Sequence, residues 1–281
     1  LEDPVRLATI RTGPGSTAAV RLDDGGAVHL GAADVGALLA DEAWRQRAAQ
    51  AAGETFALDG LDYAPVVPHP EKVICVGLNY RNHILEMGHE LPSYPTLFAK
   101  YPPTLIGAFD DIVLPDASEK VDWEAELAIV IGAKVRHADD EAAAAAIAGF
   151  TVLNDVSARD WQNRTSQFLQ GKCFESTTPV GPALVTADEP GAAGAHAIRC
   201  RVDGEVMQES MTSELLFGSI ELVRYISTIL TLAPGDLIAT GTPGGVGHAR
   251  QPPVYLRAGQ VVTTTIDGIG ECRNVCRSEV R

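Results

Sequence analysis

Glu124 and Glu126 stand two residues apart in VDWEAELAIVIG, at the mouth of an apolar run that opens at Leu127. In a strand, side chains two apart share a face, so these two carboxylates lie side by side. Like charges that close resist joint ionisation unless a cation sits between them. A third carboxylate, Asp155 in TVLNDVSARD, ends another apolar strand and precedes a helix start. Carboxylates together with water and substrate oxygens suit a hard divalent cation, Mg2+ or Mn2+, with Ca2+ also compatible in crystals. The spacing alone admits a second reading, in which both glutamates occupy a solvated face and Asp155 is an ordinary helix-entry residue.

His83 and Glu86 stand three apart in NYRNHILEMG, a spacing that puts both on one face of a helix. A histidine oriented by a carboxylate is the usual general-base arrangement, since the partner fixes the tautomer and steadies the imidazolium. A surface His–Glu pair has the same spacing. Lys172 in LQGKCFE would bind a substrate carboxylate or oxyanion if partly buried beside a metal, and would otherwise be solvated. TGTPGGVG, residues 240–247, has the backbone freedom to wrap an anion. It carries no GK[ST] and does not match GxGxxG, so a plain turn is its other reading. HExxH and GxSxG are absent, which removes support for zincin and serine-hydrolase chemistry.

The elements that must hold these residues alternate irregularly between strand and helix. Residues 5–30 read as a hairpin around DDGG, and DVGALLADEAWRQRAAQAA as a helix ending near Gly53. With little clustered polar chemistry, residues 1–68 are expected to form a small N-terminal β/α accessory domain. The stretch 61–72, with prolines at 65, 68 and 70, reads as an extended linker. KVICVGLNY opens the second domain, 69–281, as a buried strand, and DDEAAAAAIAGF reads as a helix. Ser157 is placed to cap ARDWQNRTSQFLQ. Residues 213–230 carry amphipathic helical spacing, and Asp203–Gly204 marks a hairpin. Many strands without a βαβ rhythm indicate an α+β, β-rich mixed fold.

Composition narrows the function classes. Of 281 residues, 37 are acidic and 22 basic, for a formal charge of −15. That balance excludes the basic footprint that nucleic acid or an anionic membrane surface demands. No apolar run approaches the roughly 20 residues of a membrane span, and the N-terminus shows no basic and apolar signal pattern. The five cysteines include a CxxxC at Cys272 and Cys276 with no second ligand pair. An odd count without CxxC fits reduced thiols, and the expected location is cytoplasmic.

VGLNYRNHILEMG, DWEAELAIVIG, LNDVSARDWQ, QGKCFESTTPVGP, MQESMTSELLF and LIATGTPGGVG occur in this order over roughly residues 72–270. In that order they resemble the fumarylacetoacetate hydrolase family, in its acylpyruvase-like branch. The resemblance implies a β-rich roll with a metal at the centre of a partly open, barrel-like sheet. It implies Glu124, Glu126 and Asp155 as metal ligands, His83 and Glu86 as a water-activating dyad, and Lys172 as the active-site lysine. Tyr80, Arg159 and Thr242 fall in motifs that contact substrate in the family. Cys173 and Glu175 depart from the family pattern, which bears on substrate detail. The activity implied first is C–C bond hydrolysis in a 2,4-dioxo acid through a metal-bound enolate. Oxaloacetate-type decarboxylation, or isomerisation or hydration of 2-hydroxy-dienoates in aromatic catabolism, would use the same enolate. The partner is a small 2-oxo acid, and the family implies a homodimer.

Overall fold

In the computed structural model, which describes residues 5–81, 84, 90–188 and 191–280, the run AELAIVI forms the strand Ala125–Ile131, buried along its whole length. Burial on both faces explains the unbroken apolar character. Leu127, Ile129 and Ile131 belong to one core cluster, while Ala128 and Val130 belong to a second. The strand pairs antiparallel with Ile147–Asn154 and with Leu237–Ala239. Leu237–Ala239 then runs parallel to Val73–Gly77, whose other neighbour is the antiparallel Thr96–Lys100. These strands form part of an 11-stranded sheet.

A five-stranded sheet is built on two hairpins. Ala197–Val202 and Glu205–Met211 turn through Asp203 and Gly204, both at positive φ, the conformation that an Asp-Gly hairpin favours. Val261–Ile266 and Gly270–Ser278 form the second hairpin. Ile198, Cys200, Val262 and Cys272 from this sheet share the first core with Leu127 and Ile129 and with the helix Ser219–Ile229. Cys272 and Cys276 are therefore buried core thiols, and all five cysteines are free. The fold is α+β and rich in strand, with an irregular mixture of parallel and antiparallel pairing.

The N-terminal strand Arg6–Gly13 pairs antiparallel with Thr178–Thr186, setting Leu7 opposite Leu184. Ser16–Asp23 and Gly26–His29 extend the same sheet outward. The expected single helix is two short ones, Val35–Leu39 and Trp44–Ala49, the first capped by the Asp34 carboxylate accepting from Ala37 N–H at 2.8 Å. Leu38, Leu39 and Trp44 pack in one cluster with Val73, Ala128 and Leu237. One sheet and one core cluster thus contain residues from both sides of the position 68/69. The proline-containing stretch carries buried Ala64, Val66 and Val67.

Two further expectations are corrected. Ser157 does not cap a helix: it lies in the short strand Ser157–Ala158, and its hydroxyl donates to the Asp155 carbonyl at 2.8 Å. The amphipathic stretch 213–230 is a 3-10 turn, Thr212–Glu214, which ends where Leu215 turns extended, followed by the helix Ser219–Ile229 with extended Gly218 as its N-cap.

Candidate active site

Antiparallel pairing sets Asn154 opposite Ala125, so Asp155 and Glu124 meet where two strands end. The Asp155 N–H donates to the Glu124 carbonyl at 2.8 Å, and the Asn154 side-chain oxygen accepts from Glu124 N–H at 2.9 Å. Oxygens of Glu124, Glu126 and Asp155 fall within 4.8 Å of one another. All three residues are buried, so the solvated-face reading of the glutamates does not hold.

Cations surround part of this cluster. Lys172 ends the short helix Leu169–Lys172 and donates to Glu124 Oε2 at 2.7 Å and to Asp155 Oδ2 at 2.8 Å. Lys100, the last residue of its strand, donates to Asp155 Oδ1 at 2.7 Å. Arg159 opens the helix Arg159–Gln162 and reaches Glu124 Oε1 through Nη1 at 2.6 Å. Burial works against charge on Asp155, but Lys100 and Lys172 outweigh it and hold the carboxyl below its usual range. Burial likewise opposes charge on Lys172, yet Asp155 and Glu124 prevail and keep it an ammonium.

Glu126 differs. It accepts the Gly241 N–H at 2.7 Å but has no ion pair among the described residues. Burial first, then Asp155 and Glu124, push its carboxyl well above the usual range. The Tyr80 hydroxyl is buried without a hydrogen-bond partner among the described residues, and burial and the Glu126 charge raise its pKa. A like-charged oxygen cluster with one uncompensated carboxylate fits a hard divalent cation.

Thr242 is held from both sides. Its hydroxyl donates to the Ala125 carbonyl at 2.9 Å and accepts from Gln208 Nε2 at 2.8 Å, while Gln208 Oε1 accepts from Ala125 N–H at 2.9 Å. A cavity of about 350 Å3 is lined by Glu124, Glu126, Arg159, Lys172 and Thr242, by polar Gln162, Asn163 and His248, and by apolar Val76, Phe98 and Phe168. A larger cavity, about 740 Å3, lies against Phe150 and Arg224 and contains none of the carboxylate cluster. We place the chemistry at the smaller one, where the charged groups converge.

Of the residues singled out in the sequence, Glu124, Glu126, Asp155, Arg159, Lys172 and Thr242 come together here. Tyr80 sits beside them, beneath the surface. His83 and Glu86 lie outside the described residues. Lys100, Asp122, Gln162 and Gln208 were not foreseen. Asp122 and Gln208 stand inside quoted motifs, and Lys100 ends an apolar stretch, which is the signal a buried lysine leaves.

Residues 72–277 match the family model for the fumarylacetoacetate hydrolase C-terminal domain. The chain belongs to the fumarylacetoacetate hydrolase family. Within this family it is 47% identical over 208 residues to the mitochondrial oxaloacetate tautomerase Fahd2a of Rattus norvegicus, a match covering 74% of the chain and 66% of that relative. The chain therefore spans just under two thirds of that relative's length. The fumarylacetoacetate hydrolase of Exiguobacterium antarcticum superposes with a TM-score of 0.85 at 31% identity, covering 98% of this chain and all of the other. The 5-carboxymethyl-2-hydroxymuconate delta-isomerase of Mycobacterium smegmatis gives 0.82 at 32%, over 98% of this chain and all of its own. Covering 98% of the chain, both superpositions extend beyond the family-matched residues 72–277.

Proposed function

We propose that the chain is a divalent-metal-dependent isomerase that interconverts keto and enol forms of a short 2-oxo dicarboxylic acid, with oxaloacetate as the first candidate. What carries this reading is the agreement between the 47% identical relative, named an oxaloacetate tautomerase, and a 32% identical structure, named a delta-isomerase. Both names describe a proton moved within a substrate, without net hydrolysis. This differs from the C–C hydrolysis that the motifs imply first. The cavity of about 350 Å3 suits a small acid.

Glu124, Glu126 and Asp155 would hold the metal, Mg2+ or Mn2+. When bound, it supplies Lewis-acid polarisation of the 2-oxo group and tolerance of negative charge on its oxygen. The chain's own groups do the rest. Lys172, kept charged by Glu124 and Asp155, donates hydrogen bonds where oxygen becomes anionic. Arg159 and Thr242 hold the carboxylate ends, and Tyr80 backs Glu126. His83, the general base that its three-residue spacing from Glu86 favours, would take the proton from carbon 3 and return one to oxygen, so atoms and charge balance without water or redox partner.

The test is a turnover assay on metal-stripped protein with Mg2+ or Mn2+ restored. Accelerated loss of the oxaloacetate enol absorbance with total oxaloacetate conserved supports the isomerase. Stoichiometric pyruvate and carbon dioxide would make it a decarboxylase. Cleavage of acetylpyruvate to acetate and pyruvate would restore the hydrolase. A homodimer in a reducing, cytoplasmic setting completes the proposal, in keeping with five free thiols. Light scattering at a single-chain mass of 29.7 kDa would remove the dimer, and cell fractionation placing the chain elsewhere would remove the compartment.

A further inference from the structure

One buried carboxylate beside the site is not part of the metal cluster. Asp122 ends the short strand Val121–Asp122 and is fully buried. Its Oδ1 accepts from Trp123 N–H at 2.8 Å and from Gly247 N–H at 2.7 Å. Its Oδ2 accepts from His248 N–H at 2.9 Å and from Arg159 Nε at 2.9 Å. Arg159 in turn donates through Nη1 to Glu124 at 2.6 Å and to Gln162 Oε1 at 2.9 Å. Arg159, Gln162 and His248 all line the cavity over Glu124.

Two pieces of chain far apart in sequence are thus fastened to one carboxylate. The turn is seated closely: a Cβ at Gly247 would run into the Val254 carbonyl and come to 2.8 Å from Asp122 Oδ1 and 2.9 Å from Trp123 Cη2. The Trp123 indole N–H adds a bond to the Gly245 carbonyl at 3.3 Å. An arginine fixed at Nε has the plane of its fork set, so the direction of Nη1 toward Glu124 follows from Asp122. An asparagine could not replace it, because one of its two acceptor ends would become an NH2 facing backbone or guanidinium donors.

We propose that Asp122 is a positioning residue. It locks the Gly247–His248 turn and the Arg159 guanidinium to each other, and so sets the cavity wall and the Arg159–Glu124 contact without touching substrate. The proposal rests on the carboxylate cavity being the active site, as read above.

Asp122→Asn tests it by two independent readouts. Hydrogen exchange at the Gly247 and His248 amides should quicken at least tenfold, while the Ala125–Ile131 strand keeps its protection. With Mg2+ present, kcat/KM for oxaloacetate should fall at least tenfold, mainly through KM. In an Arg159→Met background the same change should cost less than threefold, because the two act through one contact. Unchanged exchange at the turn, or losses that multiply in the double variant, would overturn the lock. Should wild-type protein not turn over oxaloacetate, the substrate reading fails and the exchange result alone decides this one. If Asp122→Asn does not fold, Gly247→Ala displaces the turn with the carboxylate intact. It should reproduce the loss of kcat/KM and expose the His248 amide, and an unaffected Gly247→Ala enzyme would equally overturn the proposal.

Discussion

At the scale of single residues, Glu126 is where electrostatics and function pull apart. Its pKa is raised by burial and then by Asp155 and Glu124, so it lies above the unfolded value of about 4.3. Below about pH 4 both states hold the proton and the contribution to stability is fully present. Through the interval above it the folded chain keeps the proton longer, so metal-free stability falls as pH rises. Glu126→Gln removes this titration. In chelator at neutral pH the variant should melt higher than wild type, by roughly 2–4 °C for each kcal/mol of relieved repulsion. Added Mg2+ or Mn2+ should raise wild-type melting and leave the variant unmoved. Scanning fluorimetry at a series of pH values reads both effects, and a variant melting below wild type in chelator would refute the repulsion. Glu124 and Glu126 were legible in sequence because strand alternation sets them side by side, while Asp155 was legible as a strand-end carboxylate whose place beside them rested on the family motifs. Lys100, Asp122 and Gln208 were not, because their partners are 55, 37 and 34 residues away and only the fold supplies them.

At the scale of elements, the two catalytic-side cations ride on two very short helices packed against each other. Gly171 lets them meet: a Cβ there would lie 2.5 Å from Gln162 N and Gln162 Cβ and 2.6 Å from Ala158 O. Gly171→Ala should therefore force the Leu169–Lys172 helix outward and carry Lys172 off Glu124 and Asp155. Activity should fall at least tenfold with every charged side chain still present, and stability by about 1–3 kcal/mol, the usual cost of an overpacked site. Steady-state kinetics beside urea unfolding checks this, and wild-type kcat/KM would mean that the helices reseat without cost. Sequence periodicity located the long strands and the Asp203–Gly204 hairpin well. It failed at Ser157 and at residues 35–49, where helices of four to six residues are selected by tertiary packing and their local caps are weak signals.

At the scale of the whole molecule, a net charge of −15 opposes the approach of a dianionic acid to a site whose lysines and arginine are local and enclosed. The screening length shortens from about 30 Å at 0.01 M salt to about 8 Å at 0.15 M. For oxaloacetate, kcat/KM should accordingly rise severalfold across that range. A fall with salt would show that Lys100, Lys172 and Arg159 govern the long-range field instead. The first strand, paired to Thr178–Thr186, has a consequence for anyone who trims the chain to the family-matched residues 72–277. Leu184 and Val185 would lose their strand partners beside the bared apolar faces of Val73, Ala128 and Leu184. Such a fragment would present a sticky template for aggregation, and its inactivity would say nothing about the catalytic groups it still contains.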